Sequence, residues 1–368
     1  EVMYYQDNYF SAYKKFDLYT LFIEKSIKLL KDGGYFCFII PNKFLSQPYG
    51  LRLRQFILDN CSIRRIVDLS DFKIFEDATV ENIILVLKKE GNEISRNKNK
   101  IEVVVPEKDP GVIRDIRGSY RNIIQSMYLA TPYNSFRLDI DENKIKIKNK
   151  IEENSVLISK ICYVNWGARS GDIKKFVVKE KKNNLCKPML DGRDINRYKI
   201  KWDNKYLIYD KDELYNPMFE ELFENDKLII RDVNAKEGIK ATFDDKKYYT
   251  EHTVSICLLN HQLENVKRKG LKIDKDSIRL SKEFSLKYIL CILNSKLIAF
   301  YFKTFIGCGL HVYPDNIRSL PIKVISKSQQ QLFIELADKM LSLNTVSYTH
   351  LRAHETPEHL VCRLLLEK

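Results

Sequence analysis

Residues Asp17 to Asn42 read DLYTLFIEKSIKLLKDGGYFCFIIPN. Asp17 can cap a helix whose apolar residues Leu18, Leu21, Phe22, Ile27, Leu29 and Leu30 form a broad face, and the Gly33-Gly34 pair closes it. Tyr35 to Ile40 is then an unbroken apolar run of aromatic and β-branched residues, the pattern of a strand buried on both faces of a parallel sheet; Pro41-Asn42 ends it. Working outward, Tyr49 to Asp59 has helical spacing (Leu51, Phe56, Ile57), and Ile63 to Leu69 reads as a strand. Val80 to Leu87 reads as another, after a loop around Phe75. Helix, strand, helix, strand, loop, strand is the second half of a doubly wound α/β sheet, with no first half in view.

Gly91 to Lys100 is a polar breaker and Ile101 to Val105 ends in Pro106, so a first unit is expected over residues 1–105. A connector is expected over 106–154, where Leu138 to Lys150 alternates apolar and charged residues. Short aromatic-rich strands (Tyr206 to Tyr209, Leu228 to Arg231, Tyr248 to Thr250, Val254 to Leu258) then precede helices near Leu286 to Phe302 and Ser328 to Leu343, an α+β unit over 155–344. The composition changes near Val346, and residues 345–368 are expected to be a non-native tail. His350, His354 and His359 in it lack a fixed carboxylate or cysteine partner, so no metal site is expected.

The 368 residues are 44% apolar and 30% charged, which excludes wholesale disorder and a small disulfide scaffold. Phe284 to Phe305 has the length of a membrane span but carries Lys287, Lys296 and Lys303, and reads as a buried helix. The eight cysteines lie far apart without a Cys-x-x-Cys pair, as expected of reduced thiols in a cytoplasmic protein. Charge is uneven: residues 1–95 hold 13 basic and 13 acidic groups, whereas residues 155–345 hold 34 and 24, a net +10. A basic half joined to a neutral half suggests that one part grips a polyanion; a genome that favours lysine is the plain alternative.

Several ordered blocks resemble the adenine-specific DNA methyltransferases of the TaqI-like and type IIG restriction-modification class. They are Phe16 to Glu24, Leu29 to Gly34, Ile40-Pro41-Asn42, Leu53-Arg54, Ile66-Val67-Asp68 and Val80 to Leu85. Further blocks are similar to that family's C-terminal target-recognition domain: Gly167 to Gly171, Leu190 to Ile195, Leu228 to Asp232, Tyr248 to Thr250 with His252-Thr253, Ile292 to Ser295, and Ile317 to Ile322. The resemblance runs from about residue 8 to about residue 344. It implies the distal half of a class I, Rossmann-like methyltransferase sheet followed by an α+β target-recognition domain. It also implies S-adenosyl-L-methionine as cofactor, duplex DNA as partner, no membrane, and methyl transfer to the exocyclic amino group of an extruded adenine.

By that resemblance Phe75 stacks on the flipped adenine, and an exposed loop ring supplies the π-face that an unstacked base needs; a place in the core is the plain alternative. Asp17, Tyr19 and Phe22 match the motif lining the adenosine side of the cofactor pocket, although Phe22 can equally be a core-facing helix residue. The family's glycine-containing cofactor loop and Asn-Pro-Pro-Tyr motif lie earlier than Glu1, so the chain is expected to be a fragment that does not methylate alone. Asn216-Pro217-Met218-Phe219 is similar to that tetrapeptide but lies between acidic, helix-like segments, so a catalytic loop is not expected there.

In the basic half, Arg169, Arg193, Arg197 and Arg231 sit beside glycine or turn-like residues, where a guanidinium can reach phosphate or a guanine edge. Ser170 and His252 lie in the resembling blocks, and Lys174 and Lys175 add sequence-independent attraction. Asp172, Asp191 and Asp194 can orient the arginines, with surface pairing as the plain alternative. Trp166 is expected in the core rather than facing DNA. An endonuclease domain or subunit and a monomeric state complete the expectations. The rivals are a non-catalytic DNA-specificity module serving a separate catalytic chain, and an RNA methyltransferase.

Overall fold

The computed structural model describes residues 2–75, 80–107, 118–233, 238–268, 270–307 and 311–345. The tail with its three histidines lies outside the described residues. The fold is mixed α/β with several sheets, and the chain divides into two compact units, 1–147 and 148–368.

Unit 1 is built on five strands: β1 (Tyr35–Pro41), β2 (Cys61–Asp68), β3 (Asn82–Lys89), β4 (Lys100–Pro106) and β5 (Gly118–Ile124), in the order β1-β3-β2-β4-β5. The fifth strand comes from the stretch read as connector. The pairing observed for β1 is not the parallel one expected of its apolar run. Among the described residues β1 pairs antiparallel with β3, with Phe36 and Ile40 buried. An apolar run encodes a tendency to be covered; it does not encode strand direction. Among the described neighbours only β2 and β4 run parallel.

The helix over Leu18–Leu29 forms as expected, but Asp17 makes no side-chain capping bond. The Asp17 carbonyl accepts from Thr20 Oγ1 at 2.7 Å instead. One turn on, Glu24 is fully buried, accepts from Ser11 N at 2.7 Å and pairs with Lys28 at 2.5 Å, which ties the incoming segment to the helix. Arg54 is also fully buried, and its guanidinium donates to the carbonyls of Phe44, Gln47 (3.0 Å) and Tyr133 (2.9 Å). The alternating stretch before residue 150 becomes a helix, Glu142–Glu152.

Unit 2 contains an antiparallel sheet ordered Ala241–Asp244, Lys227–Arg231, Val254–Leu259, Cys162–Trp166. A second sheet joins Tyr249–Thr250, Cys186–Leu190, Lys205–Ile208 and Val177–Val178. Phe176, Met189, Leu207, Phe223, Ile229, Tyr249 and Ile256 belong to one core, with the rings of Phe223 and Tyr249 stacked at 4.4 Å. Inside it, Lys227 and Asp244 face each other across neighbouring strands as a wholly buried ion pair at 2.6 Å.

The apolar stretch near Phe284 is not one helix. Leu286–Asn294 and Lys296–Ile306 are bent by 58° at Ser295, whose hydroxyl accepts from Ile298 N. No single helix among the described residues is long and apolar enough to cross a membrane. The six described cysteines are free thiols, and no metal-binding cluster occurs among the described residues.

Candidate nucleic-acid interface

Strand register brings residues distant in sequence to one end of the antiparallel sheet of unit 2. Arg231, last in its strand, pairs with Val254, and the next residue, Ser255, pairs with Trp166 at the end of the neighbouring strand. Beyond this end the chain makes three turns. Gly167 to Gly171 follows Trp166, and His252-Thr253 precedes Val254. Gly192–Asp194 packs close enough to Arg231 and Thr253 that a Cβ on Gly192 would sit 3.7 Å from Arg231 Cγ and 3.5 Å from the Thr253 carbonyl.

The Gly167 turn is held from several sides. Ala168 N donates to the Thr250 carbonyl at 2.8 Å, and Arg169 exchanges backbone bonds with Asn216 at 2.8 and 2.9 Å. A side chain at Gly167 would place Cβ 2.2 Å from the Thr250 carbonyl oxygen, so only glycine fits. Asn216, in the segment similar to the catalytic tetrapeptide, thus shapes the turn that presents Arg169.

Ser170 is buried rather than presented to a ligand. Its backbone N–H donates to Glu251 Oε1 at 2.8 Å and its hydroxyl donates to the same oxygen. Glu251 also accepts from His252 N at 3.1 Å and contacts His252 Nδ1. Burial pushes the Glu251 carboxyl up, but the hydrogen bonds from Ser170 and His252 outweigh it and hold the group below the usual carboxylate range. One buried carboxylate therefore ties together the turns that carry Arg169 and His252.

The expected DNA-facing residues separate on this frame. Arg169 is exposed, with its guanidinium 5.1 Å from the centre of the exposed Tyr215 ring. Arg193 and His252 are exposed and Arg231 is half-buried. Arg231 Nε and Asp232 Oδ1 are buried without a hydrogen-bond partner among the described residues. Arg197 is committed elsewhere, donating Nε to the Ile239 carbonyl at 3.2 Å. Lys174 and Lys175 lie on the short Ile173–Phe176 helix capped by Asp172, and Lys175 pairs with Glu213 at 2.9 Å.

The nearby aspartates do not orient the arginine side chains. Asp191 and Asp194 receive Lys205 Nζ at 2.6 and 3.0 Å, and Asp191 accepts the Arg193 backbone N–H. Asp172 is used in helix capping. Short acidic side chains beside backbone N–H groups satisfy those first.

Trp166 is 39% exposed, contrary to its expected place in the core. Its ring meets Tyr313, 48% exposed, edge to face at 6.3 Å, and Tyr313 stacks on His311 at 5.7 Å with 9° between planes. Neither Tyr313 nor His311 carried a sequence signal, because exposure of a lone aromatic cannot be read from its neighbours.

In unit 1, Phe75 is exposed, whereas Phe72 and Ile74 of its loop pack on Val67, Leu69 and Val104. The loop base is pinned where Asn42 Nδ2 donates to Ser70 Oγ at 2.9 Å and to Glu81 at 2.8 Å. Phe22 is exposed beside the exposed Leu18, so it is not the core-facing residue its helical spacing allowed. Asp17 is exposed as well, while the hydroxyls of Tyr19 and Tyr49 bond each other at 2.8 Å, and burial followed by that bond raises the Tyr19 pKa well above the tyrosine range.

Two family models match the chain: the Eco57I restriction-modification methylase over residues 1–75 and the TaqI-like C-terminal specificity domain over residues 187–322. The first segment is thus similar to part of a restriction-modification methylase and the second to a specificity domain. Over these two regions the chain is similar to TaqI-like restriction-modification methyltransferases. It is 37% identical over 89 residues to the type II restriction enzyme and methyltransferase RM.Eco57I of Escherichia coli, covering 24% of this chain and 9% of that protein. To the type II methyltransferase M.BstVI of Geobacillus stearothermophilus it is 28% identical over 220 residues, 55% of this chain and 39% of that one. The chain thus matches less than half the length of either relative. In fold it is similar to the type IIL restriction-modification enzyme MmeI solved with DNA, with a TM-score of 0.61 at 11% identity over 100% of this chain and 50% of that one. The DrdV–DNA complex gives 0.56 at 10% identity, over 94% and 41%.

Proposed function

We propose that this chain is the cofactor-distal and target-recognition part of a site-specific adenine DNA methyltransferase, and that unit 2 holds duplex DNA at the end of its antiparallel sheet. The observation that carries the reading is the convergence of Arg169, Arg193 and His252 on three turns, with Arg231 at the strand end beside them. Two guanidiniums on turns and a third at the strand end can position phosphate and donate to guanine edges, and the net positive charge of this half supplies attraction.

The distal half of a class I methyltransferase sheet is supported by the β1-β3-β2 order, in which β3 runs antiparallel between its neighbours. Phe75, exposed on a pinned loop, is suited to stack on an extruded adenine. S-adenosyl-L-methionine supplies the electrophilic methyl group in such a reaction. The exposed Phe22 ring offers an apolar face to its adenosine and Asp17 an exposed carboxylate, whereas the Tyr19 hydroxyl is engaged by Tyr49.

The test is duplex binding by the whole chain across a salt series. Affinity should fall steeply with salt, and Arg169→Ala, Arg193→Ala and Arg231→Ala should each weaken binding, with a shallower slope wherever a phosphate contact is lost. Salt-independent binding, or three variants that all bind like the parent, would remove this surface as the DNA site.

A further inference from the structure

Exposed aromatic side chains are ordinarily scattered singly, yet unit 2 carries three in a row, with Tyr313 in contact with both Trp166 and His311. Their backbones are rigidly held. Trp166 lies in a strand, with Ser255 as its register partner. Val312, between the other two, is fully buried and donates its N–H to the Asp232 carbonyl at 2.7 Å. Tyr313 N donates to Asn316 Oδ1 at 2.9 Å, at the start of the Pro314–Arg318 helix. The array also adjoins the proposed duplex-binding turns, because His311 Nδ1 lies 3.5 Å from Asp232 Oδ2 and Asp232 follows Arg231.

Pre-set ring faces match one part of a nucleic acid best. The grooves of a paired duplex display base edges, which are read by hydrogen bonds and small apolar contacts. A base that has left the stack displays its π-faces, which aromatic rings take up without regard to sequence. We infer that the His311–Tyr313–Trp166 array is a stacking platform for an unpaired base held beside the duplex. It is a second base-binding surface, additional to Phe75, and it rests on the reading of unit 2 as the DNA-binding unit.

The experiment uses the full chain with Trp202→Phe. Trp202 is half-buried, with Nε1 bonded to the Lys205 carbonyl at 3.0 Å, so its replacement leaves Trp166 as the only tryptophan. The chain is titrated with a perfect duplex and with the same duplex carrying one bulged base, following both affinity and Trp166 fluorescence. The bulged duplex should quench Trp166 more strongly and bind about tenfold more tightly. Tyr313→Ala should abolish that preference while perfect-duplex affinity stays within about twofold, and Tyr313→Phe should keep it. A Trp166 signal and an affinity that do not distinguish the two duplexes overturn the platform but leave the duplex-binding reading standing. Equal loss on both duplexes in Tyr313→Ala overturns it likewise. Failure to bind either duplex overturns both.

Discussion

Glu251→Ala tests how the interface is held. The carboxylate accepts from Ser170 N and Ser170 Oγ inside the protein and from His252 N and Nδ1 at its edge. A buried hydrogen bond to a charged acceptor contributes about 1.5–3 kcal/mol, and an orphaned buried donor costs a similar amount. The His252 side chain is about half exposed, so its share is screened and is set aside. The two Ser170 bonds then place the loss at about 3–6 kcal/mol. Ser170→Ala keeps the backbone bond and should lose only about 1.5–3 kcal/mol.

Urea unfolding of the whole chain, followed by circular dichroism, measures both losses, and duplex affinity is read in parallel. Glu251 is held below its usual pKa of 4.5, so its stabilisation is complete above that pH and fades as pH falls through the lower folded value. Glu251→Gln, which cannot ionise, should flatten that part of the pH profile. If Ser170→Ala leaves stability unchanged and only weakens DNA binding, Ser170 is a DNA contact and the assignment of Glu251 as the organiser of the turns is wrong.

Three further outcomes are expected. Lys227→Met should cost about 3–5 kcal/mol in urea unfolding, because it strands the fully buried Asp244 carboxylate; a change below about 1 kcal/mol would show that the pair is not sealed from water. Gly167→Ala should destabilise by at least about 1–3 kcal/mol and weaken duplex binding, since its Cβ would collide with the Thr250 carbonyl; wild-type melting and binding would contradict this. In a longer protein competent for methyl transfer, Phe75→Ala should slow methylation by the loss of about 1–3 kcal/mol of stacking, less so when the target adenine faces a mismatch. A variant that instead melts early, with no mismatch-dependent relief, would return Phe75 to the core.

Local pattern carried most of the strands and helices. The strands at Cys61–Asp68, Asn82–Lys89, Lys227–Arg231 and Val254–Leu259 and the Leu18–Leu29 helix follow from period and composition, which depend only on near neighbours. The ordered blocks that resemble TaqI-like methyltransferases were likewise legible, because they are strings of residues. Strand direction was not legible: Tyr35–Pro41, read as part of a parallel sheet, pairs antiparallel with Asn82–Lys89, since partner choice depends on connections elsewhere in the chain. Nor was the division of labour among polar residues. Ser170, Asp191 and Asp194 face inward to Glu251, Lys205 and backbone N–H groups, while Arg169 and Arg193 face out. The sequence by itself determined which residue types were available and where the helices and strands would form. Tertiary structure alone decided that Trp166, Tyr313 and His311 share one exposed surface, because strand register and the bond from Val312 to Asp232 bring together residues whose own neighbours say nothing of one another.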